Sequence, residues 1–374
     1  MKPVIVITFP HPLSAPGGGT VGLLEIARHL AGLGVRVILV PVGNGAPSEA
    51  VPAEVSPVGP SRWHYLLNGI AVALRVRQLL YRQPVAAVLG WDHEAAFLPG
   101  LLRRSGVFFG MIAAFPSYRL WLERRTSWRP LKRVSDWWFQ WRPLRLADAV
   151  FALSRFTREE LVSLLGVGPE RVVVAYWGVD DSFLQVERMP GSSGPGRLLF
   201  FGALTRHKGI FDALEALARL PPELGWELRV AGWGDVDAVN ERARALGLDR
   251  RTVVVGRLDH RALLGHLAWA QLAVLPSYSE SFGLAIAEAQ AAGLPVVTYR
   301  AGAIPEVVED RVTGLLVKPG DIGGLAEAVR VLLTDPQLRY RMGLAGRERV
   351  RRLFSWENTA RTILDSLRGA HKCG

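Results

Sequence analysis

The chain has 374 residues, 49% of them hydrophobic and 21% charged, which is typical of a folded protein of two or three domains and excludes a disordered or fibrous chain. Its single cysteine, Cys373, permits neither an internal disulfide nor a cysteine-based metal cage, and it favours a reducing compartment. Lys and Arg number 45 against 34 Asp and Glu, a net charge of +11, so the basic surface favours phosphorylated ligands, nucleic acid or anionic lipid as partners.

Short apolar runs alternate with longer segments of helical periodicity in the first half of the chain. The strand pattern occurs in residues 4–9, 35–41 and 85–89, and the helix pattern in residues 21–32 and 66–81. This alternation predicts a mainly parallel sheet with helices on both faces. No apolar run reaches the length of a signal-peptide core or of a membrane-spanning helix, so a cytoplasmic protein is expected.

The same alternation restarts after a segment rich in Gly, Pro and Ser. Strand patterns occur at 197–202, 227–231, 253–255, 272–276 and 295–298, and helix patterns at 210–220 and 236–246. We therefore predict an N-terminal Rossmann-like domain over residues 1–187, a linker over 188–196 and a second Rossmann-like domain over 197–355. Ligands of such folds bind at the carboxyl ends of the strands.

Two glutamates lie around the predicted start of a helix in the second domain. Glu280 comes just before this helix and Glu288 about a turn and a half inside it. The first amides of the helix, from Phe282, Gly283 and Leu284, lack intrahelical acceptors and suit a phosphate group. Carboxylates on each side of such a site can accept hydrogen bonds from sugar hydroxyls. The structural alternative is a helix-start acid at 280 and a surface or buried acid at 288.

A basic loop follows the first strand of the second domain and contains Arg206 and Lys208. Two cations at the carboxyl end of a strand can neutralise a diphosphate through charge-assisted hydrogen bonds, without a metal. The alternative is a solvated basic turn. Further along, Asp235 and Asp237 have the spacing of a metal-binding pair, but their place at a helix start favours capping.

A glycine-rich turn, residues 17–19, follows the first strand and precedes the first helix. Turns of this kind can cradle phosphates, because the backbone approaches the ligand closely where no side chain intervenes. The turn is neither Gly-x-Gly-x-x-Gly nor a P-loop, which also requires a lysine. By itself it is a weak signal.

Taken in order, these motifs resemble those of the family 4 glycosyltransferases, retaining enzymes with the GT-B fold of two Rossmann-like domains that face each other across a cleft. Residues 280–288 are similar to the family's Glu-x7-Glu signature, and residues 293–297, 301–306 and 313–317 are similar to the segments that follow it. The resemblance covers most of the chain. It implies a metal-independent hexosyltransferase with a nucleotide-diphosphate sugar as donor and no further cofactor, and a C-terminal helix, residues 356–374, that crosses back to the first domain.

The resemblance also implies roles for single residues. Arg206 and Lys208 would hold the donor diphosphate, Glu280 the hydroxyls of the transferred sugar and Glu288 the ribose. The predicted catalytic residues are therefore Glu280, Lys208 and Arg206. The predicted substrate-binding residues are Gly18, Gly19, His93, Gly232, Arg257, Leu258, Ser281, Phe282, Gly283, Leu284 and Glu288.

Two positions depart from the family's pattern. Ala203 stands where members often carry arginine, and Arg206 is the candidate replacement. Ala114 stands where many members carry histidine; His93 is a candidate to approach the transferred sugar instead, and a structural loop histidine is the alternative. These departures keep a non-catalytic homologue open as an alternative function.

Tryptophans and cations interleave over residues 118–145. This pattern is typical of an interfacial membrane helix, and it predicts that the protein docks on an anionic membrane face and glycosylates a lipid or lipid-linked acceptor. The alternative is an amphipathic helix packed on its own domain, with a glycan or small molecule as acceptor. A basic nucleic-acid-binding protein is a further alternative, but the chain has no recognisable nucleic-acid module, so no nucleic-acid partner is expected.

Overall fold

The computed structural model describes residues 2–15, 17–47, 50–59, 65–103, 105–114, 137–187 and 195–370. Contacts divide the chain into two compact units, which are described separately. Unit 1 comprises residues 1–178 and 356–374, and unit 2 comprises residues 179–355.

Parallel strands form the centre of unit 1. They are β1 (Val4–Phe9), β2 (Arg36–Pro41), β3 (Glu54–Val55), β4 (Ala87–Gly90), β5 (Phe108–Ala113), β6 (Ala149–Ala152) and β7 (Val172–Val174). Among the described residues they form a seven-stranded sheet in the order β3-β2-β1-β4-β5-β6-β7. Every residue of β1, β4, β5 and β6 is buried, as expected where helices cover both faces of a parallel sheet.

The described helices of unit 1 are α1 (Gly18–Gly32), α2 (Tyr65–Arg82), α3 (Leu98–Leu102), α4 (Arg142–Leu146), α5 (Arg155–Leu165) and, at its C-terminal end, Trp356–Ala370. The last of these packs against α1. Trp177 makes this packing tight, because a Cβ on Gly22 of α1 would lie 2.6 Å from the Trp177 ring, and that ring lies 5.8 Å from the Trp356 ring.

Unit 2 has the same architecture. Its strands are β8 (Gly196–Leu204), β9 (Trp226–Gly234), β10 (Thr252–Gly256), β11 (Leu272–Val274), β12 (Val296–Tyr299) and β13 (Gly314–Val317). In the described part of the unit they form a six-stranded parallel sheet in the order β10-β9-β8-β11-β12-β13. The order reverses beside β8, and such a reversal is where open α/β sheets bind ligands.

The described helices of unit 2 are α6 (Asp181–Leu184), α7 (Ile210–Ala218), α8 (Val236–Ala245), α9 (His260–Trp269), α10 (Leu284–Ala291), α11 (Ile304–Val307), α12 (Ile322–Thr334) and α13 (Pro336–Leu353). The C-terminal helix of unit 1, Trp356–Ala370, is α14. None of the described helices is both long and apolar enough to cross a membrane. Residues 179–187 belong to unit 2 by their contacts: the Val179 amide donates to the Phe354 carbonyl, and Arg347 donates to the Val186 carbonyl.

Candidate active site

The loop after β8 is a short 3-10 turn, Arg206–Lys208. The Thr205 hydroxyl accepts the Lys208 amide at 3.3 Å and caps the turn. Gly209 then takes a left-handed φ of 76°, and a Cβ there would lie 2.0 Å from the carbonyl oxygen of Pro276. Glycine at this position therefore lets the loop after β8 contact the loop after β11, the neighbouring strand.

The loop after β11 carries Glu280, and backbone contacts hold it on two sides. The Tyr278 amide donates to the His207 carbonyl at 2.9 Å, and the Ala303 amide, beyond β12, donates to the Glu280 carbonyl at 2.9 Å. A Cβ on Gly302 would lie 2.5 Å from that same carbonyl oxygen. Glu280 is thus fixed between the carboxyl ends of β8, β11 and β12.

Lys208 and Glu280, 72 positions apart in the sequence, form an ion pair in which Lys208 Nζ donates to Glu280 Oε1 at 2.6 Å. Their side chains are 33% and 14% exposed, so the pair is partly shielded yet open to a ligand. A lysine ammonium has three donors, and Glu280 uses one. No described residue donates a hydrogen bond to Oε2 of Glu280. The pair can therefore bind an anionic oxygen and a neighbouring hydroxyl together.

Other residues predicted to bind the sugar-nucleotide substrate lie at the same edge of the sheet but outside this ion pair. Arg206 is exposed, and its guanidinium lies 5.3 Å from the Phe211 ring centroid rather than beside Glu280. Gly232, near the end of β9, pairs with Gly202, and a Cβ there would lie 1.8 Å from the Gly202 carbonyl oxygen. Arg257 and Leu258 follow directly after β10.

Helix α10 begins at Leu284, with Gly283 as its N-cap at a φ of 97°. Its first intrahelical hydrogen bond runs from the Ala287 amide to the Gly283 carbonyl at 3.0 Å. The four amides without an intrahelical acceptor are therefore those of residues 283–286, which include the predicted amides of Gly283 and Leu284. The Phe282 ring is buried against Phe354, 5.1 Å between centroids, so its side chain belongs to the core of unit 2. Ser281 precedes it in the same turn.

Glu288 lies on α10 and is half-buried. Burial, followed by the negative charge of Asp180, raises the pKa of its carboxyl to about 8. The group therefore keeps its proton over most of the physiological range. A protonated carboxyl both donates and accepts a hydrogen bond, which suits a pair of vicinal hydroxyls.

A second hydrogen-bond cluster supports the Glu280 loop, and the sequence reasoning missed it. The hydroxyls of Tyr278 and Tyr299 both donate to Asp212 Oδ2, at 2.7 Å and 2.6 Å, and the two rings lie 5.2 Å apart. The hydrogen bond to Asp212 is the first cause of the rise in the pKa of Tyr278 to about 12. Asp212 lies in the first turn of α7, where an acid is usually explained by its interaction with the helix dipole, so the sequence offered no reason to single it out.

In unit 1 the predicted residues lie at the carboxyl ends of β1 and β4, which are neighbours. Gly18 and Gly19 begin α1. A Cβ on Gly19 would lie 3.8 Å from the Phe9 ring, and that ring contacts the Trp91 ring at 5.2 Å between centroids. The structure thus brings the glycine-rich turn and the loop that carries His93 to one edge of this sheet.

His93 is buried, and its Nδ1 lies 3.6 Å from Asp92 Oδ2. Burial lowers the pKa of His93. The hydrogen bond and charge of Asp92 and the charge of Glu94 raise it by more, so the net pKa is above the ordinary value. The neighbouring His11 has its pKa lowered: desolvation and the charge of His93 lower it, and together they outweigh the charge of Asp92, which raises it. The pKa values of these two histidines are therefore shifted in opposite directions.

Glu94, which the sequence reasoning did not single out, is fully buried behind this loop. Its Oε1 accepts the Thr8 hydroxyl at 3.0 Å and the Trp91 amide at 2.8 Å, and its Oε2 accepts the Asp92 amide at 2.9 Å. Burial raises the pKa of Glu94. An acid directly after a buried strand was the available signal for it.

Other sequence predictions have simple outcomes. Asp235 caps α8, since its Oδ1 accepts the Ala238 amide at 2.9 Å, which confirms the predicted capping. Within the described ranges, no group of three or more His, Cys, Asp or Glu side chains is placed to hold a metal ion. Residues 118–136 of the tryptophan-rich segment and 188–194 of the predicted linker lie outside the described residues.

Two family models match the chain, and together they span most of it. The model of "Glycosyltransferase Family 4" matches residues 16–183, and that of "Glycosyl transferases group 1" matches residues 188–349. The first covers the carboxyl edge with the glycine-rich turn, and the second covers the Lys208–Glu280 pair.

Curated relatives agree with these matches. The D-inositol 3-phosphate glycosyltransferase of Kribbella flavida is 31% identical over 413 aligned positions, 96% of this chain and 93% of that protein. The glycogen synthase of Mycobacterium tuberculosis is 38% identical over 232 residues, 60% of this chain. That alignment covers 56% of the glycogen synthase, so the chain spans about half the length of this relative.

Solved structures share the fold. Sucrose-phosphate synthase from Thermosynechococcus elongatus superposes with a TM-score of 0.86 over the whole of both chains, at 21% identity. An Anabaena protein solved in complex with UDP and glucose has a TM-score of 0.78 at 20% identity, over 98% of this chain and all of that one. The predicted fold class, two parallel α/β domains of the GT-B type, is confirmed. The chain belongs to glycosyltransferase family 4, the glycosyl transferases of group 1.

Proposed function

We propose that the protein is a retaining glycosyltransferase that moves a hexosyl group from a nucleotide-diphosphate sugar to an acceptor hydroxyl. The observation that carries this proposal is the Lys208–Glu280 pair, a cation and a carboxylate with free hydrogen-bonding capacity at the carboxyl edge of a parallel sheet. Family membership and the UDP and glucose bound by the Anabaena neighbour support the same donor class.

The chemical task of this site is to stabilise a leaving group. As the bond between sugar and diphosphate breaks, negative charge grows on the diphosphate oxygens. The Lys208 ammonium and the first amides of α10, starting at Leu284, are fixed donors that favour this charge without rearranging. Exposed Arg206 extends the cationic surface toward solvent.

Glu280 orients the transferred sugar in this proposal. Its Oε1 is held by Lys208, and its Oε2 faces no described donor, so a sugar hydroxyl is the natural partner for Oε2. Glu288, protonated at neutral pH, binds the ribose hydroxyls. Attack on the same face as departure, with a phosphate oxygen taking the acceptor's proton, accounts for retention without a protein nucleophile. No step in this sequence uses a metal.

The acceptor is proposed as a hydroxylated glycan, small molecule or lipid. Two relatives are named for an inositol phosphate and for glycogen, so acceptors differ widely among similar chains. The basic, tryptophan-rich segment 118–145 favours a lipid or lipid-linked acceptor at a membrane face. His93 at the edge of the unit 1 sheet is the proposed contact to sugar hydroxyls in place of the histidine missing at Ala114.

Donor hydrolysis and thermal protection test the proposal. A panel of UDP, GDP, ADP and dTDP sugars should include at least one that raises the melting temperature and releases nucleotide diphosphate. The Lys208→Ala variant should lose turnover by about a hundredfold or more, because the leaving-group charge loses its fixed cation. Lys2→Ala, which removes an exposed lysine of unit 1, is the matched control.

Two results would overturn the proposal. One is that no donor on the panel protects the protein or turns over. The other is that Lys208→Ala and Lys2→Ala behave alike with the best donor. Retention is read separately, from the anomeric configuration of the freshly formed product by NMR; an inverted product would reject the retaining mechanism alone.

A further inference from the structure

Helix α2 of unit 1 carries a stripe of exposed apolar side chains. Leu66, Leu67, Ile70, Leu74 and Tyr81 are 45%, 56%, 40%, 54% and 79% exposed. At about 100° per residue these five positions fall within about 100° of the helix circumference. They line one side of the helix along its length, and we call them the α2 stripe.

The opposite face of α2 is already used by the core of unit 1. Val72, Val76 and Leu79 are buried in the hydrophobic cluster around the sheet. Gly69 on this side lets the Phe97 ring approach, because a Cβ there would lie 2.9 Å from Phe97 Cδ2. The α2 stripe therefore contributes nothing to this core, and folding of unit 1 does not explain its apolar character. An exposed apolar band that the core does not use is typical of an interaction site.

The charges on α2 are all positive. The helix contains Arg75, Arg77 and Arg82 and no Asp or Glu. Arg77 lies over the ring of Tyr81, 5.6 Å from its centroid, so a cation sits directly on the stripe. An apolar band with cations and without anions fits a surface that is apolar beneath and anionic at its boundary.

Two exposed tryptophans lie in a neighbouring part of unit 1. Trp137 and Trp138 are 41% and 40% exposed, and the Arg142 guanidinium lies 4.7 Å from the Trp138 ring. Their turn is joined to α2 through Phe97, whose ring contacts both Gly69 and, at 6.2 Å, the Phe139 ring. Tryptophan beside arginine is typical of side chains at the boundary between lipid and water.

We propose that the α2 stripe is a docking surface for the face of an anionic lipid bilayer. A second copy of the chain is a poorer occupant: a twofold-symmetric contact through this face would bring arginines of both copies together, with no acid on α2 to pair them. The link from docking to acceptor choice rests on the proposed function. The docking itself does not.

Vesicle co-sedimentation tests the proposal with the full chain. Wild type should bind vesicles of equal parts phosphatidylcholine and phosphatidylglycerol, and bind far less to phosphatidylcholine alone. Ile70→Glu with Leu74→Glu places two acids on the stripe and should weaken binding about tenfold or more. Tyr340→Glu with Leu344→Glu is the matched control, because these residues are also exposed and four positions apart on a helix, in unit 2.

A second variant separates charge from apolar contact. Arg77→Gln with Arg82→Gln leaves the apolar band intact and should weaken binding to the anionic vesicles about tenfold, with no change for neutral ones. It also keeps the test valid if two glutamates disturb the fold, which circular dichroism on each variant reports.

Several outcomes would reject the docking surface: no binding of wild type to anionic vesicles, unchanged binding of both α2 variants, or an equal loss in the unit 2 control. Conversion of a wild-type dimer to a monomer by Ile70→Glu with Leu74→Glu, with vesicle binding retained, would assign the stripe to a second copy. Donor hydrolysis in solution, measured on the same variants, should be unaffected. If the wild-type protein hydrolyses no donor, the proposed function is refuted, whereas the vesicle-binding result still stands.

Discussion

The carboxyl edges of the two sheets each hold a glutamate in a loop after a buried strand, but the chain uses the two carboxylates differently. Glu94 in unit 1 is fully buried, and both of its oxygens accept hydrogen bonds from the chain itself. Glu280 in unit 2 is partly open, and Lys208 is the one described donor to its carboxylate. A carboxylate whose two oxygens both accept hydrogen bonds from the chain holds a loop in place, whereas one with an unused oxygen can bind a substrate.

Glu280→Ala should give the largest effect. Removing the carboxylate frees Lys208 and leaves the transferred sugar without its orienting acceptor, so turnover with the best donor should fall about a thousandfold. The melting temperature should change little, because Glu280 is not a core residue. Steady-state kinetics and a thermal melt check both statements, and turnover within tenfold of wild type would contradict the role of Glu280.

Glu94→Ala should act on stability instead. The variant leaves the amides of Trp91 and Asp92 without their acceptor and leaves the Thr8 hydroxyl with only the Leu89 carbonyl, at a cost of about 3 kcal/mol in the free energy of unfolding. Urea unfolding measures it. Glu54→Ala is the control, since its 48% exposed carboxylate pairs with Arg36 at the surface, and the loss should stay below about 1 kcal/mol. Equal losses of unfolding free energy in the two variants would contradict the structural role of Glu94.

Much of this contrast between Glu94 and Glu280 could not be predicted from the sequence. The alternation of strands and helices predicted both parallel sheets, because burial on both faces leaves a clear pattern in the residues. Motif order pointed to Lys208 and Glu280. However, spacing alone could not show that two side chains 72 positions apart meet at 2.6 Å. Such partners depend on which strands are neighbours, and for the same reason the sequence missed that Asp212 meets Tyr278 and Tyr299. Glu94 differs, because two of its three partners are local, and its place after a buried strand was a signal that the sequence did offer.

Glu288 allows a pH-dependent test of how burial changes the behaviour of a glutamate. Its pKa is raised from 4.5 to about 8 in the folded protein, so the folded state binds more protons than the unfolded one across that interval. The contribution of Glu288 to stability is therefore present at low pH and is lost as pH rises toward 8. Glu288→Gln stays neutral, so its stability relative to wild type should increase over this interval and level off above it. Urea unfolding at several pH values measures the difference, and parallel curves for the two proteins would contradict the raised pKa.

Asp212→Asn should give the smallest effect, because the substitution changes the support of the Glu280 loop and leaves the groups that touch substrate in place. Tyr278 and Tyr299 lose a charged acceptor but keep an amide oxygen, so the loop should hold its position less firmly. We expect kcat to fall a few-fold at nearly constant KM for the donor.

Asp237→Asn, on another helix of the same unit, is the control for charge. Asp212→Glu should also be impaired, since a longer side chain displaces the oxygen that both hydroxyls share. If kcat stays at the wild-type value in Asp212→Asn while the melting temperature falls, the tyrosine cluster stabilises the fold alone. The positioning of Glu280 then depends on the backbone contacts of Gly302, Ala303 and His207.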